Sequence, residues 1–232
     1  MNYLDLTNRV LDRLREERAS SGTLDSDPYF RSIGAHINDA KEQVENAWQW
    51  SMLRQDEAVA IVPGQNTVEL PNSYDNNYVI KRITLTDIDG NYGGFLKWIS
   101  DDRMWYYTVG APDRNKPSVY ATGTPAANGN QTINILQPSD DDYFLIINSW
   151  HNQDPLTAAD DLLKVPSLPV YSLATALASR ERGETGAINT GELFAIAQSH
   201  LSDAIAYDSA RYPEELDWYA QDRLFNTNVR RA

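Results

Sequence analysis

Few side chains in this chain stand at spacings that chemistry requires. Its three histidines, His36, His151 and His200, are far apart and form neither a His-x-x-Glu-His nor a His-x-x-x-His pair, so they predict no metal site. His36 and His200 fall on predicted helices and read as surface or boundary residues. Carboxylates flanking a sugar could make a glycosidase, and Asp140-Asp141-Asp142 and Asp160-Asp161 are the closest groupings. The first precedes an apolar strand and reads as a charged loop. The second precedes a helical segment, where negative charge is favoured by the helix dipole. Asp87-Ile88-Asp89-Gly90-Asn91 has the look of a calcium loop, but its glycine comes fourth rather than sixth and its twelfth position is Trp98, not Glu. That stretch is predicted to be a turn. There is no Gly-x-Ser-x-Gly elbow, no phosphate-cradling glycine loop, and no cysteine to supply a nucleophile, a thiolate ligand or a disulfide. No catalytic residue, cofactor or metal is expected, and the chain does not read as an enzyme.

Binding is the better prospect. Twenty basic against 33 acidic side chains give a net charge of −13, which argues against gripping DNA through its phosphates. Arg9, Arg13, Arg15 and Arg18 alternate with Asp12, Glu16 and Glu17, the pattern of a solvated helix rather than of a nucleic-acid face. Trp98, Trp105, Tyr106 and Tyr107 could stack on a sugar, although in a small β domain such a cluster reads first as core. No apolar run exceeds five residues, against the roughly 20 that a membrane helix needs. The Met1-Asn2-Tyr3-Leu4-Asp5 start has neither a basic nor an apolar leader region, so export is not expected. The C-terminal stretch 212–232 stands out. Tyr212, Trp218, Tyr219, Leu224 and Phe225 lie in a segment with no helix or strand period, ending in Arg230 and Arg231. Aromatics so placed must bury on their own subunit or on a partner. These seven residues form the predicted partner-binding set; extended, the 21 residues reach roughly 70 Å. Asp140, Asp141 and Asp142 form a second candidate, an acidic loop facing a channel or a basic partner.

The elements that would position these groups follow a helix–strand–helix order. Leu4, Thr7, Val10, Leu11 and Leu14 share a face and predict a helix over 3–18. Asp27 is a good N-cap with Pro28 in the first helical position. From there Phe30, Ile33, Ile37, Ala40, Val44, Ala47 and Ser51 recur at alternating spacings of 3 and 4, a seam for other helices. Ala58–Val62 and Thr67–Leu70 flank Pro63-Gly64-Gln65-Asn66 and predict a hairpin. Further strands are expected over 78–86, 94–96, 118–121, 132–136 and 143–147, with a short capped helix from Ser100 to Tyr107. Helical periodicity returns after Leu168-Pro169, with Gly183 as a stop and Thr190 capping a last helix. The middle is the acidic part: residues 54–161 carry 7 basic and 15 acidic side chains. The expected architecture is α+β, with a helical bundle from N- and C-terminal helices, an inserted antiparallel β sandwich or barrel-like domain, and an extended C-terminal arm. The boundaries read from the sequence are 1–55, 56–160, 161–211 and 212–232.

Several stretches carry a family resemblance. They are Met1 to Leu11; Ile37-Asn38-Asp39-Ala40 through Trp48-Gln49-Trp50; the Val62 to Pro71 segment ending in Leu70-Pro71; Leu168-Pro169 with the Ala-rich helix after it; and Ile205-Ala206-Tyr207-Asp208. In order and pattern the chain resembles the head-to-tail connector, or adaptor, proteins of tailed bacteriophages, especially the tail-tube-A-like adaptors of short-tailed phages. The resemblance implies a structural virion protein at the head–tail junction, assembled in the bacterial host cytoplasm. It implies a homo-oligomeric ring, commonly twelve-fold, docked beneath the portal protein, with a tail nozzle or tail-tube protein on the other face. DNA would pass through the centre during packaging and ejection without specific binding, and no membrane is involved. The family's C-terminal segment reaches toward the portal, which maps onto Tyr212 to Ala232. The alternatives are a cell-wall glycan hydrolase and a carbohydrate-binding module built on the aromatic β region.

Overall fold

The structure is a computed structural model that describes residues 1–24, 26–71, 73, 78–108, 113–183 and 190–211. In chain order its elements are α1 (Tyr3–Leu14), α2 (Pro28–Ala47), β1 (Arg54–Ile61), β2 (Thr67–Glu69), β3 (Val79–Asp87), β4 (Tyr92–Trp98), α3 (Asp101–Thr108), β5 (Val119–Thr122), β6 (Thr132–Ile135), β7 (Tyr143–Trp150), α4 (Ser167–Glu181) and α5 (Thr190–Ser209). They fall into two compact units, Met1–Val44 with Leu156–Ala232, and Glu45–Pro155.

The first unit is helical. Asn2 opens α1 by accepting the Asp5 N–H at 2.7 Å, and Leu6, Val10 and Leu11 are fully buried along one face. The helix stops at Leu14, four residues short of the expected Arg18. Arg15 turns left-handed (φ 59°), and the Glu16 N–H closes back onto the Leu11 carbonyl at 3.0 Å. Asp27 caps α2 as expected, accepting the Tyr29 N–H at 2.8 Å. Ile33, Ile37, Ala40 and Val44 of the seam are buried, whereas Ala47 is exposed and ends it. Val170, Ala174 and Ala178 of α4 are buried as the pattern predicts, and Gly183 (φ 64°) terminates the turn after it. Tyr171 of α4 lies under two guanidinium groups of α1, Arg9 at 5.4 Å and Arg13 at 4.6 Å from the ring centre. The two ends of the chain's N- and C-terminal portions are sewn together: Tyr3 N–H donates to the Asp161 carbonyl at 2.9 Å and Leu163 N–H to the Met1 carbonyl at 3.0 Å. Asn38 completes the join, accepting the Leu156 N–H at 2.8 Å and donating to its carbonyl at 3.1 Å.

The second unit holds a nearly closed seven-stranded sheet of order β1-β7-β3-β4-β5-β6-β2. Of the expected antiparallel sandwich or barrel-like domain the second is nearer, since the strands form one hydrogen-bonded sequence; the sheet is mixed rather than antiparallel, because β4 pairs with β5 in parallel (Lys97 with Val119, Trp98 with Tyr120). The intervening α3 makes that parallel crossover possible, as a tight hairpin could not. The β3–β4 hairpin forms through the Asp87–Gly90 turn, where Gly90 takes φ 83°. The hairpin expected between Ala58–Val62 and Thr67–Leu70 does not form: β1 pairs with β7 over eight residues and β2 with β6. The reason is long-range. The Gly64 N–H is drawn to the Ser139 carbonyl at 2.7 Å and the Asn66 carbonyl accepts Ile135 N–H at 2.7 Å, so the connection is fastened to the end of β6 and the loop after it, which steers the strands apart. Ile61, Val68, Leu70, Ile83, Leu85, Leu96, Ile133, Leu145 and Ile147 fill the interior. Each such side chain contributes about 1.5–3 kcal/mol on burial.

Candidate partner-binding site

The acidic loop is held in place by its neighbours. Ser139 is buried; its hydroxyl donates to the Asp141 carbonyl, and its own N–H reaches the Gln65 carbonyl at 3.2 Å. The Asp142 N–H donates to Asp141 Oδ1 at 2.8 Å, and the Tyr143 hydroxyl to Asp140 Oδ1 at 3.0 Å. Burial first, then that hydrogen bond and the charges of Asp140, Asp141 and Asp87, hold the Tyr143 phenol above its ordinary pKa. Asp140, Asp141 and Asp142 are all exposed. They stand immediately before Tyr143, which is paired with Ile61 of β1. An acidic loop held by these bonds therefore stands at the Ile61 end of β1.

The other predicted partner-binding residues, Tyr212, Trp218, Tyr219, Leu224, Phe225, Arg230 and Arg231, lie outside the described residues. The histidines separate into packing roles: His36 pairs with Glu181, His200 Nδ1 meets the Ser172 hydroxyl at 3.0 Å, and His151 stands edge-on to Tyr78 at 5.8 Å. Asp161 caps the turn before it, taking the N–H groups of Thr157 and Ala158, both at 2.7 Å, which lowers its pKa. Asp87 likewise bonds Asn91 within its turn, as a turn reading requires. Among the described residues no group of three or more His, Cys, Asp or Glu side chains could hold a metal ion.

Two features escape a reading by periodicity. Trp98, Trp105 and Tyr106, whose cluster with Tyr107 reads first as core, are solvent-exposed at 57, 70 and 74%, while Ile99 and Met104 beside them are buried; the Tyr107 side chain lies outside the described residues. From Asp101 to Tyr106 only Met104 is buried, and an eight-residue helix is too short for its stripe to be read from sequence. The second is a groove of about 470 Å³ lined by Trp48, Trp50, Trp150, Leu53 and Val79, with Asn46 and Asn152 joined at 2.8 Å on its rim. Trp48 and Trp50 are neighbours in sequence, whereas Trp150, a hundred residues on, is brought beside Val79 by the β3–β7 pairing.

Exposed aromatics and a fixed acidic loop are surface features of the kind a partner protein meets. The comparisons agree. The chain matches the family of the SU10 adaptor protein over residues 1–223 and belongs to that family, so it is a structural phage adaptor of the head–tail junction. No curated protein matches it. Among the described residues no helix is long and apolar enough to cross a membrane.

Proposed function

We propose that this adaptor works as a homo-oligomeric ring, commonly twelve-fold in the family it resembles, between the portal and a tail nozzle or tail-tube protein. The whole-chain match to the SU10 adaptor family carries this reading. The charge supports it: a conduit wall that bound phosphates would hold the genome by counterion release, whereas copies each carrying −13 repel it. In this reading DNA passes the ring during packaging and ejection without specific contacts. Residues 1–55 and 161–211 form the helical part, 56–160 the inserted β part, and 212–232 an arm. Tyr212, Trp218, Tyr219, Leu224, Phe225, Arg230 and Arg231 grip another polypeptide of the assembly, and Asp140, Asp141 and Asp142 face the channel or a basic partner.

The test is electron microscopy of the purified protein mixed with its portal. Rings are expected on the portal with the full chain, and none after deletion of 213–232, while circular dichroism shows both proteins folded. Rings formed equally well by the truncated protein would refute the role of the arm; absence of rings with the full chain would refute the ring.

A further inference from the structure

The outward face of the sheet is roofed on one side only. Over β5, Met104 of α3 packs on Ala121, which is fully buried. Across β1, β7, β3 and β4 the same face is half-buried or exposed, and the pairing registers set its residues in ranks. One rank is Ala58, Ile146, Thr84 and Phe95; the next is Ala60, Phe144, Thr86 and Tyr92. Phe144, Phe95 and Tyr92 are 38, 45 and 62% exposed, and both alanines are exposed. Neither rank holds a charge, although this is the acidic part of the chain. A contiguous apolar patch of this kind marks an interaction surface.

Charge is sorted to the two ends of this face. At one end stand Arg54, Lys81, Arg82 and Lys97, with Lys81 Nζ 4.9 Å from the Trp150 ring centre and the Arg82 guanidinium 5.0 Å from that of Phe95. Asp56 at the same end is engaged by the Asn148 side-chain amide. At the other end stand Asp87, Asp89 and Asp140 to Asp142, against Arg114 and Lys116, which lie beside Gly64 and Gly93. A face running from cationic through apolar to anionic complements itself after a half-turn about an axis in its plane and across the strands. A half-turn along the strands would instead set cations on cations. The first arrangement lays Thr84 over Thr86 of the second copy, Ile146 over Phe144 and Phe95 over Tyr92, and brings Lys97 toward Asp89. Four strands about 4.8 Å apart and eight residues of about 3.3 Å each give a footprint of about 500 Å² per copy. The total of about 1,000 Å² is the low end for a specific contact, enough for a reversible pair. We propose that two free copies of this adaptor pair face to face through β1, β7, β3 and β4, strands antiparallel, each cationic end over the other's anionic end. The opposed ends offset the repulsion between bodies of −13, which salt screens beyond about 8 Å. This contact is separate from the proposed ring, since a two-fold pair of free copies neither requires a ring nor excludes one.

The test is sedimentation of the full-length protein, without portal, from about 1 to about 200 µM. A monomer–dimer equilibrium is expected in the micromolar range. Phe144→Glu and, on an exposed alanine that cannot disturb the core, Ala60→Glu should each weaken it about tenfold or more, with circular dichroism showing both variants folded. Lys97→Glu and Asp89→Lys should each weaken it about threefold and, combined in one chain, restore it. The chain has no native cysteine, so a mixture of Thr84→Cys copies with Thr86→Cys copies, oxidised, should give more disulfide-linked dimer than either alone. Monomers at every concentration would overturn the proposal, as would a larger closed species in place of the dimer. So would a dimer that Ala60→Glu leaves intact, a double charge variant no tighter than its singles, or a mixture that links no better than its components.

Discussion

Asn38 offers the most exacting check on how the helical unit is held together. Its amide faces the backbone of Leu156, accepting the N–H at 2.8 Å and donating to the carbonyl at 3.1 Å, beside a leucine that is 1% exposed. A side-chain amide thereby imitates one rung of a strand pair and ties α2 to the segment that re-enters the helical unit. Two net hydrogen bonds of about 0.5–1.5 kcal/mol each make Asn38→Ala cost about 1–3 kcal/mol, since both backbone groups lose their partner away from water. Asn38→Asp keeps the shape and the acceptor but loses the donor. It sets a carboxylate against the Leu156 carbonyl, so a cost near 2 kcal/mol is expected at pH 7. The sign with pH follows. The facing carbonyl disfavours the charged form and raises the folded-state pKa of the new carboxyl above the unfolded value. The protonated acid regains a donor, so the deficit is full above the raised folded value and shrinks as pH falls through it. Urea denaturation from pH 7 down to 4, with hydrogen exchange read at the Leu156 amide, measures both. Exchange should quicken roughly tenfold or more in Asn38→Ala. A deficit for Asn38→Asp that stays flat across that pH range would refute the donor role, and unchanged exchange in Asn38→Ala would refute the clamp.

Other perturbations probe the sheet and the caps. A Cβ added at Gly123 would stand 2.3 Å from Thr132 Oγ1, so Gly123→Ala should destabilise the sheet unit by about 1–3 kcal/mol, and Thr132→Ala should relieve part of that in a double-mutant cycle. Asp161, its pKa lowered by the Thr157 and Ala158 N–H groups, adds stability that is present above the ordinary carboxylate pKa and lost as pH falls through the lowered value. Asp161→Ala should therefore lower the midpoint of urea unfolding at pH 7 and leave it nearly unchanged at pH 2. Asp12 behaves in the same sense, its pKa lowered by the Arg18 guanidinium at 2.9 Å. Titrating both carboxyls by NMR should give values below the usual aspartate range, and an ordinary value for either would break its assignment.

What the sequence revealed and what it hid divide along the range of the interactions. Asp27-Pro28, the α2 seam, the Asp87–Gly90 turn and Gly183 were legible because cap, period and turn geometry are settled within a few residues. The extent of α1 was misread because nothing local announces that Arg15, a residue with a Cβ, will adopt a left-handed conformation. Pairing was misread where it is long-range. Pro63-Gly64 looks like a hairpin turn, yet Gly64 and Asn66 bond to Ser139 and Ile135, some 70 residues on, and those two bonds decide that β1 goes to β7 and β2 to β6. The candidate site shows the same division. The acidic triplet was visible as a loop, but its place beside the end of β1 came only from the Ile61–Tyr143 register.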